Sequence, residues 1–169
     1  PVNPPEPHHS RFSEPYVGEI AYADEQIGQI IKELKRQGEY ERPLIVVTAD
    51  HGEGLNDHNE PTHSLLIFDS TMHVPLIVRM PGGPSGRRLD QLASTVDIMP
   101  TVLELLGQEV PEEVQGQSMA ALVRGTADTA PVRPDDDPRA VYMESLVAEL
   151  QCNWGALRGL RTAEQKLIH

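Results

Sequence analysis

The sequence predicts an α/β fold built around a largely parallel sheet. Two observations carry this expectation. Apolar runs rich in β-branched residues, at 44–48 and 74–80, read as buried strands, and stretches of helical periodicity at 15–36 and 97–106 stand on either side of them. Strand and helix signals that alternate in this way favour helices layered on a parallel sheet. At 169 residues, with 38% hydrophobic and 24% charged residues, the chain is long enough to bury a core and has the composition of a globular domain.

Residues 1–14 open with Pro1-Val-Asn-Pro-Pro-Glu-Pro-His-His, an extended lead-in, because each proline removes a donor and restricts the residue before it. From 15 to 36, Ile20, Ala23, Ile27, Ile30, Ile31 and Leu34 recur at helical spacing with polar residues opposite, and Gln37-Gly38 ends the helix. Segment 52–65 mixes Gly, Asn, Asp, His, Glu and Pro and reads as a long polar loop. Loops of that length inside compact domains are usually functional or mobile. Pro81-Gly82-Gly83-Pro84 breaks the second strand. Asp97-Ile-Met-Pro100 opens a helix that runs through Leu106 with Gly107 as its C-cap, and Val102, Leu103, Leu105 and Leu106 suit a helix lying on a sheet. Ser118 is expected to cap a short helix over 119–123, and 140–144 and 165–168 read as short strands. The chain thus divides into a lead-in (1–14), a main α/β core (15–124), a Pro/Asp-rich loop (125–138) and terminal strands (139–169), with no internal repeat.

Charge and composition exclude several classes. A net charge of -12 argues against general nucleic-acid binding, which depends on Lys and Arg neutralising phosphates. No apolar run approaches the roughly 18 residues of a transmembrane helix, and no basic-then-apolar leader is visible. The single cysteine, Cys152, excludes an internal disulfide and is expected to pack as a small residue near Trp154. Neither a nearby base nor a helix N-terminus marks it as reactive.

The chemistry concentrates where the first strand ends. Ile45-Val-Val-Thr-Ala-Asp50-His51-Gly52-Glu53 passes abruptly from apolar to ligand-bearing residues, and ligand sites in open α/β sheets collect at the carboxyl ends of strands. On a regular strand Asp50 and His51 would point to opposite faces. At a strand end they can converge on one cation, with Gly52 permitting the turn. Spacing alone leaves the alternative open that Asp50 caps the next segment and His51 faces solvent. His63, in the same loop, reads as a second imidazole ligand, a donor to a substrate oxyanion, or an exposed loop histidine. His58, His73, His8 and His9 are weaker candidates, and Glu53 and Asp57 are either supporting contacts or solvated carboxylates.

The ordered set of motifs carries a family resemblance. Gly18-Glu-Ile-Ala-Tyr-Ala-Asp24 leads to Val-Thr-Ala-Asp50-His51-Gly-Glu, then to His58-Asn-Glu-Pro-Thr-His63 and Phe68-Asp-Ser-Thr-Met-His-Val74-Pro-Leu-Ile-Val. Val96-Asp97-Ile-Met-Pro100-Thr-Val-Leu-Glu-Leu-Leu-Gly107, Gly116-Gln-Ser118, Tyr142-Met-Glu144-Ser and Leu157-Arg-Gly-Leu-Arg161 follow. This order resembles the carboxy-terminal half of sulfatases, members of the alkaline phosphatase superfamily. The resemblance implies an alkaline-phosphatase-like three-layer α/β/α sandwich, present in part, and a metal-dependent hydrolase of small-molecule or glycan sulfate esters. It implies that Asp50 and His51 are a metal-ligand pair, binding calcium in most sulfatases and manganese or zinc in some relatives. It makes His63 catalytic, contacting the transferred group's oxygens or assisting the leaving group.

Departures from the pattern matter. Asn59 and Ser64 stand where glycine is common in this branch, and Phe68 where tyrosine is common. The early Cys/Ser-x-Pro-x-Arg motif, whose first residue becomes the formylglycine nucleophile, is absent, as is the amino-terminal acidic pair. Thr129-Ala-Pro131-Val-Arg133 has the motif's spacing, but threonine is not the family's nucleophile precursor and this copy follows the metal pair. The expectation is a chain that begins partway through the enzyme, with its nucleophile upstream, inactive alone. A phosphodiesterase or phosphonate monoester hydrolase is the alternative within the superfamily. A non-catalytic module that associates with its own copies through an exposed sheet edge is the alternative outside catalysis.

Overall fold

The computed structural model describes residues 3–128 and 139–169, which belong to two compact units, Pro1–Pro43 and Leu44–His169. The 129–133 spacing and most of the expected 125–138 loop lie outside the described residues.

The first unit holds α1 (His8–Arg11) and α2 (Pro15–Arg36). Proline at the start of α2 costs nothing, because a first-turn N–H has no intrahelical partner, and Lys35 and Arg36 complement the dipole at its other end. The lead-in is not extended throughout. Its prolines stop at Pro7, and the first residues free of them close a helical turn, with the Arg11 amide donating to the Pro7 carbonyl at 3.0 Å. That turn buries His8, which places Nε2 3.0 Å from Glu25 and its ring edge-on to Tyr22.

The second unit begins with β1 (Ile45–Thr48), followed by α3 (Asp69–Met72) and β2 (Leu76–Arg79). β1 and β2 pair antiparallel, with Thr48 opposite Leu76 and Ile45 opposite Arg79. This departs from the parallel sheet expected for the pair. The segment 49–75 delivers β2 to the end of β1 where β1 stopped, whereas a parallel partner needs a crossover back to the other end. Side chains alternate across the pleat. Val46, Leu76 and Val78 meet Ile98, Thr101, Val102 and Leu105 of α4 (Ile98–Leu105) around a cavity of about 10 Å³. Ile77, on the opposite face, is 60% exposed.

A single 3-10 turn, Thr95–Asp97, leads into α4, so the helix starts one residue later than expected. Asp97 is the organising group: it is 1% exposed and accepts backbone hydrogen bonds from Ser94 and Gln117, each at 2.7 Å. The Arg139 guanidinium pairs with the same carboxylate and donates to Gln117 Oε1 at 2.6 Å. One turn on, the Thr101 hydroxyl donates to the Asp97 carbonyl at 2.6 Å and accepts from the Met119 amide at 2.9 Å. Met119 precedes α5 (Ala120–Arg124), where Ser118 Oγ accepts from the Ala120 amide at 3.1 Å.

The terminal region forms an antiparallel meander of β3 (Val141–Ser145), β4 (Leu157–Arg161) and β5 (Lys166–Ile168), with α6 (Val147–Cys152) between the first two strands. β4 and α6 are additions to the expected elements. Cys152 is exposed, as is Trp154, so the packed cysteine expected from sequence is not found. The meander closes on segment 64–72 through Ile67: a Cβ on Gly159 would sit 3.0 Å from Ile67 Cδ1 and 3.2 Å from Met143 Cγ. Burying such a side chain contributes about 1.5–3 kcal/mol. At the rim, Asp69 joins α3 to the meander, receiving Lys166 at 2.8 Å and Arg161 at 3.1 Å.

Two outcomes follow. Asp97→Ala strips a buried pair of one partner and should cost about 3–5 kcal/mol in urea unfolding; a loss under about 1 kcal/mol would contradict the organising role. The hydrogen bond from Lys166 holds the Asp69 carboxyl below its ordinary value of 3.8, with the Lys166 and Arg161 charges adding to it. A carboxyl depressed by folding contributes stability above its unfolded value and loses it as the pH falls through the folded one. Wild type should therefore lose stability relative to Asp69→Asn below about pH 4, modestly because the pair is solvent-screened. Parallel acid limbs for the two proteins would contradict this.

Candidate functional site

β1 ends at Thr48, and the next three residues lay out the first half of the site. The His51 amide donates to Asp50 Oδ1 at 3.1 Å, folding the carboxylate back toward its own chain. This brings Asp50 Oδ2 to 3.6 Å from His51 Nε2, so the neighbours converge on one side after the strand ends. His51 Nδ1 lies 2.8 Å from the Gly52 carbonyl, which can only accept, so Nδ1 carries the proton. In the neutral ring, Nε2 then offers a lone pair beside the Asp50 carboxylate, which is 88% exposed. Fixing one ring nitrogen on a backbone carbonyl is how metal-binding histidines set their tautomer.

This donor pair fits a cation. A hard oxygen and an imidazole lone pair stand side by side, and neither hydrogen-bonds the other. It is also only a pair: no group of three or more His, Cys, Asp or Glu that could hold a metal occurs among the described residues.

Gly52 has a different role from the turn expected of it. Its amide donates to the Thr71 carbonyl at 2.7 Å, and a Cβ there would fall 2.2 Å from the Ser70 carbonyl oxygen. The requirement is close approach of two backbones, which brings the strand exit against α3.

The loop from 53 to 66 supplies the second half. His63 stacks on His51 with ring centroids 3.9 Å apart and planes inclined by 22°. Its Nδ1 is 3.2 Å from Glu53 Oε2; the carboxylate accepts, leaving Nε2 free to act toward a ligand. Glu53 is thus a supporting contact and not a solvated carboxylate. Asp50, His51 and His63 are brought together, while the weaker histidines go elsewhere. His58 stacks on Phe68 at 3.6 Å and pairs with Asp57 at 3.0 Å. His73 is the exposed C-cap residue of α3.

Two participants escaped the sequence reading. Glu60 is buried at 4% exposure, with Oε1 accepting the amides of Leu65 at 2.7 Å and Leu66 at 3.1 Å. Ser145, at the end of β3, donates its hydroxyl to the Ser64 carbonyl. Both lie within the ordered motifs, Glu60 in His58-Asn-Glu-Pro-Thr-His63 and Ser145 after Tyr142-Met-Glu144, but neither has a periodicity that marks it as a group holding the loop.

Comparison with known proteins assigns the chain to a family. The sulfatase family profile matches residues 4–108, and the profile for N-sulphoglucosamine sulphohydrolase, C-terminal, matches residues 63–169. The chain belongs to the sulfatase family. Among its relatives, an endo-4-O-sulfatase of Bacteroides thetaiotaomicron is 32% identical over 90% of this chain and 31% of its own length. An N-acetylglucosamine-6-O-sulfatase from the same organism is 28% identical over 95% of this chain and 28% of its own. A phosphonate monoester hydrolase of Silicibacter pomeroyi superposes with a TM-score of 0.75 at 32% identity, over 91% of this chain and 31% of that one. A structure solved in complex with its substrate D-glucosamine-2-N,6-O-disulfate superposes with a TM-score of 0.78 at 28% identity, over 92% of this chain and 31% of that one. This sulfatase-family chain therefore spans about a third of the length of these relatives, and its α/β fold is a partial alkaline-phosphatase-like fold.

The close approach at Gly52 gives a direct test of the site's scaffold. Gly52→Ala should cost about 1–3 kcal/mol, as overpacking does, and should move the His51 ring resonances in NMR spectra. Unchanged stability and unchanged His51 signals would contradict the packing of the strand exit on α3.

Proposed function

We propose that this chain is the carboxy-terminal portion of a sulfatase-like hydrolase of sulfate esters. It would contribute part of a divalent-metal site and an active-site histidine to a centre whose nucleophile lies upstream. The observation that carries the reading is the meeting of Asp50, His51 and His63 at the exit of β1, in a chain of sulfatase-family sequence.

Asp50 and His51 would hold the metal, with calcium the expected ion and manganese or zinc the alternatives. Such an ion neutralises developing charge on ester oxygens and lowers the nucleophile's pKa. Calcium takes about 6–8 oxygen ligands, so two side chains are a partial shell and weak binding by this chain alone is expected. His63, oriented by Glu53, presents Nε2. In its protonated form that atom can donate to the ester oxygen as its bond to sulfur breaks, so that the leaving group departs as an alcohol. A formylglycine nucleophile from a preceding Cys/Ser-x-Pro-x-Arg motif would complete the centre. The substrate class is a small-molecule or glycan sulfate ester, in keeping with the endo-4-O-sulfatase and the N-acetylglucosamine-6-O-sulfatase among its relatives. The similarity to a phosphonate monoester hydrolase supports a second reading, in which the same corner serves a phosphonate monoester.

The 169-residue chain with an aryl sulfate and calcium should release no product above buffer; robust turnover would sink the dependence on a missing nucleophile. Joined in frame to a segment carrying the nucleophile motif, it should turn over. There His63→Ala should lower kcat by about 10²–10⁴-fold, most for poor leaving groups, and Asp50→Ala should abolish the response to added metal. Turnover indifferent to both substitutions would refute the residue roles. A kcat/KM for phenylphosphonate esters above that for aryl sulfates would select the second reading.

A further inference from the structure

The loop that carries His63 is held in a conformation that Asn56, His58 and Asn59 tolerate but that Leu55 and Ser64 disfavour. Leu55, Asn56, His58, Asn59 and Ser64 all have positive φ without being glycine, and Ser64, next to His63, lies at φ 90°. Glycine reaches that region freely, whereas a residue with a Cβ stays there only when its surroundings hold it. The surroundings hold it from both sides. Before the histidine, the Gly54 amide donates to the Thr62 carbonyl at 2.5 Å, an approach that a Cβ on Gly54 would block at 2.6 Å from the same oxygen. After it, the Ser145 hydroxyl takes the Ser64 carbonyl, and Glu60 Oε1 takes the next two amides, those of Leu65 and Leu66.

Both holding groups are buried, Glu60 at 4% and Ser145 at 8% exposure. Glu60 is retained despite a cost: its Oε2 is buried with no hydrogen-bond partner among the described residues. A buried carboxylate half satisfied is a poor device for stability alone. It is an effective device for fixing two consecutive amides, because the single oxygen Oε1 accepts from both.

We propose that Glu60 and Ser145 are positioning residues for His63, locking the strained backbone at Ser64 so that the imidazole stays stacked on His51. The assignment of a catalytic task to His63 rests on the function proposed above; the lock itself does not. A specific genetic relation follows. Ser145→Ala removes one anchor, and Ser64 relaxes toward negative φ, carrying His63 off the stack. Ser64→Gly removes the strain that the anchor resists, so in the double variant the native conformation is again accessible without it.

The test uses the full chain with isotope-labelled histidines, reading the ring-current displacement that stacking on His51 imposes on His63. Wild type and Ser64→Gly should show the displaced signal. Ser145→Ala should lose most of it, shifting toward the position of the exposed His9. Ser145→Ala combined with Ser64→Gly should regain a clear part of it. The His8 and His9 signals, from the other unit, should stay fixed in all four and report intact folding there. A Ser145→Ala spectrum with the His63 signal unmoved would overturn the proposal, and so would a double variant no better than Ser145→Ala. Glu60→Gln, which keeps the Oε1 acceptor, should resemble wild type, while Glu60→Ala should resemble Ser145→Ala; identical spectra for the two would also count against the lock. In a polypeptide that turns over ester, Ser145→Ala should lower kcat by about 100-fold with KM little changed. Spectra in the expected order without turnover would leave the lock standing and remove the proposed function. Turnover with the His63 signal unmoved in Ser145→Ala would do the reverse.

Discussion

A buried carboxylate cannot leave water without finding donors to replace it, and Asp97 finds them in three separate stretches of chain. The Ser94 and Gln117 amides and the Arg139 guanidinium converge on it from before, after and well beyond the helix it introduces. Removing such a group from water costs several kcal/mol unless every lone pair is met, so these stretches are not free to drift. The consequence reaches the site. Asp97 fixes the start of α4, α4 covers one face of the β1–β2 pair, and the exit of β1 is where Asp50 and His51 stand. The position of the donor pair thus depends in part on a carboxylate buried at 1% exposure.

The loop beyond that exit follows a different logic. Most of its backbone makes neither helix nor sheet, and five of its non-glycine residues lie at positive φ. Its amides and carbonyls are satisfied by turns, by Glu60 and by the reach of Ser145 from β3. The irregular backbone places the two imidazoles face to face, with Asp50 beside Nε2 of His51 and Glu53 against Nδ1 of His63. Local strain accepted in return for a fixed arrangement of side chains is a common property of functional loops.

Much of the frame was legible in the sequence because it rests on local periodicity. The β-branched run before Asp50 and the apolar spacing of Ile20, Ile27 and Ile31 marked β1 and α2 within a residue or so. Strand direction was not legible, since it depends on the path of residues 49–75 through space. β4 was missed because Leu157-Arg-Gly-Leu-Arg161 places arginines and a glycine where a strand usually shows β-branched residues. α6 was missed because six residues are too few for a helical period to declare itself. Asp50, His51 and His63 were picked out less by spacing than by the family order of motifs. That order could not disclose Glu60 or Ser145, whose roles exist only once residues 60, 64 and 145 meet.

That meeting also sets a timetable. The meander strands lie close in sequence and can pair early, and the turns within 53–66 are closer still. The hydrogen bond from Ser145 to Ser64 spans 81 residues, and the contacts of Asp69 with Arg161 and Lys166 span 92 and 97. Contacts of such separation bear the entropy of closing a long loop and form late in folding. During synthesis, His63 leaves the ribosome long before Ser145 does. The hydrogen bond that takes the Ser64 carbonyl, next to His63, therefore forms only after the meander has been made and docked, which couples the local arrangement of the loop to completion of the unit that carries it.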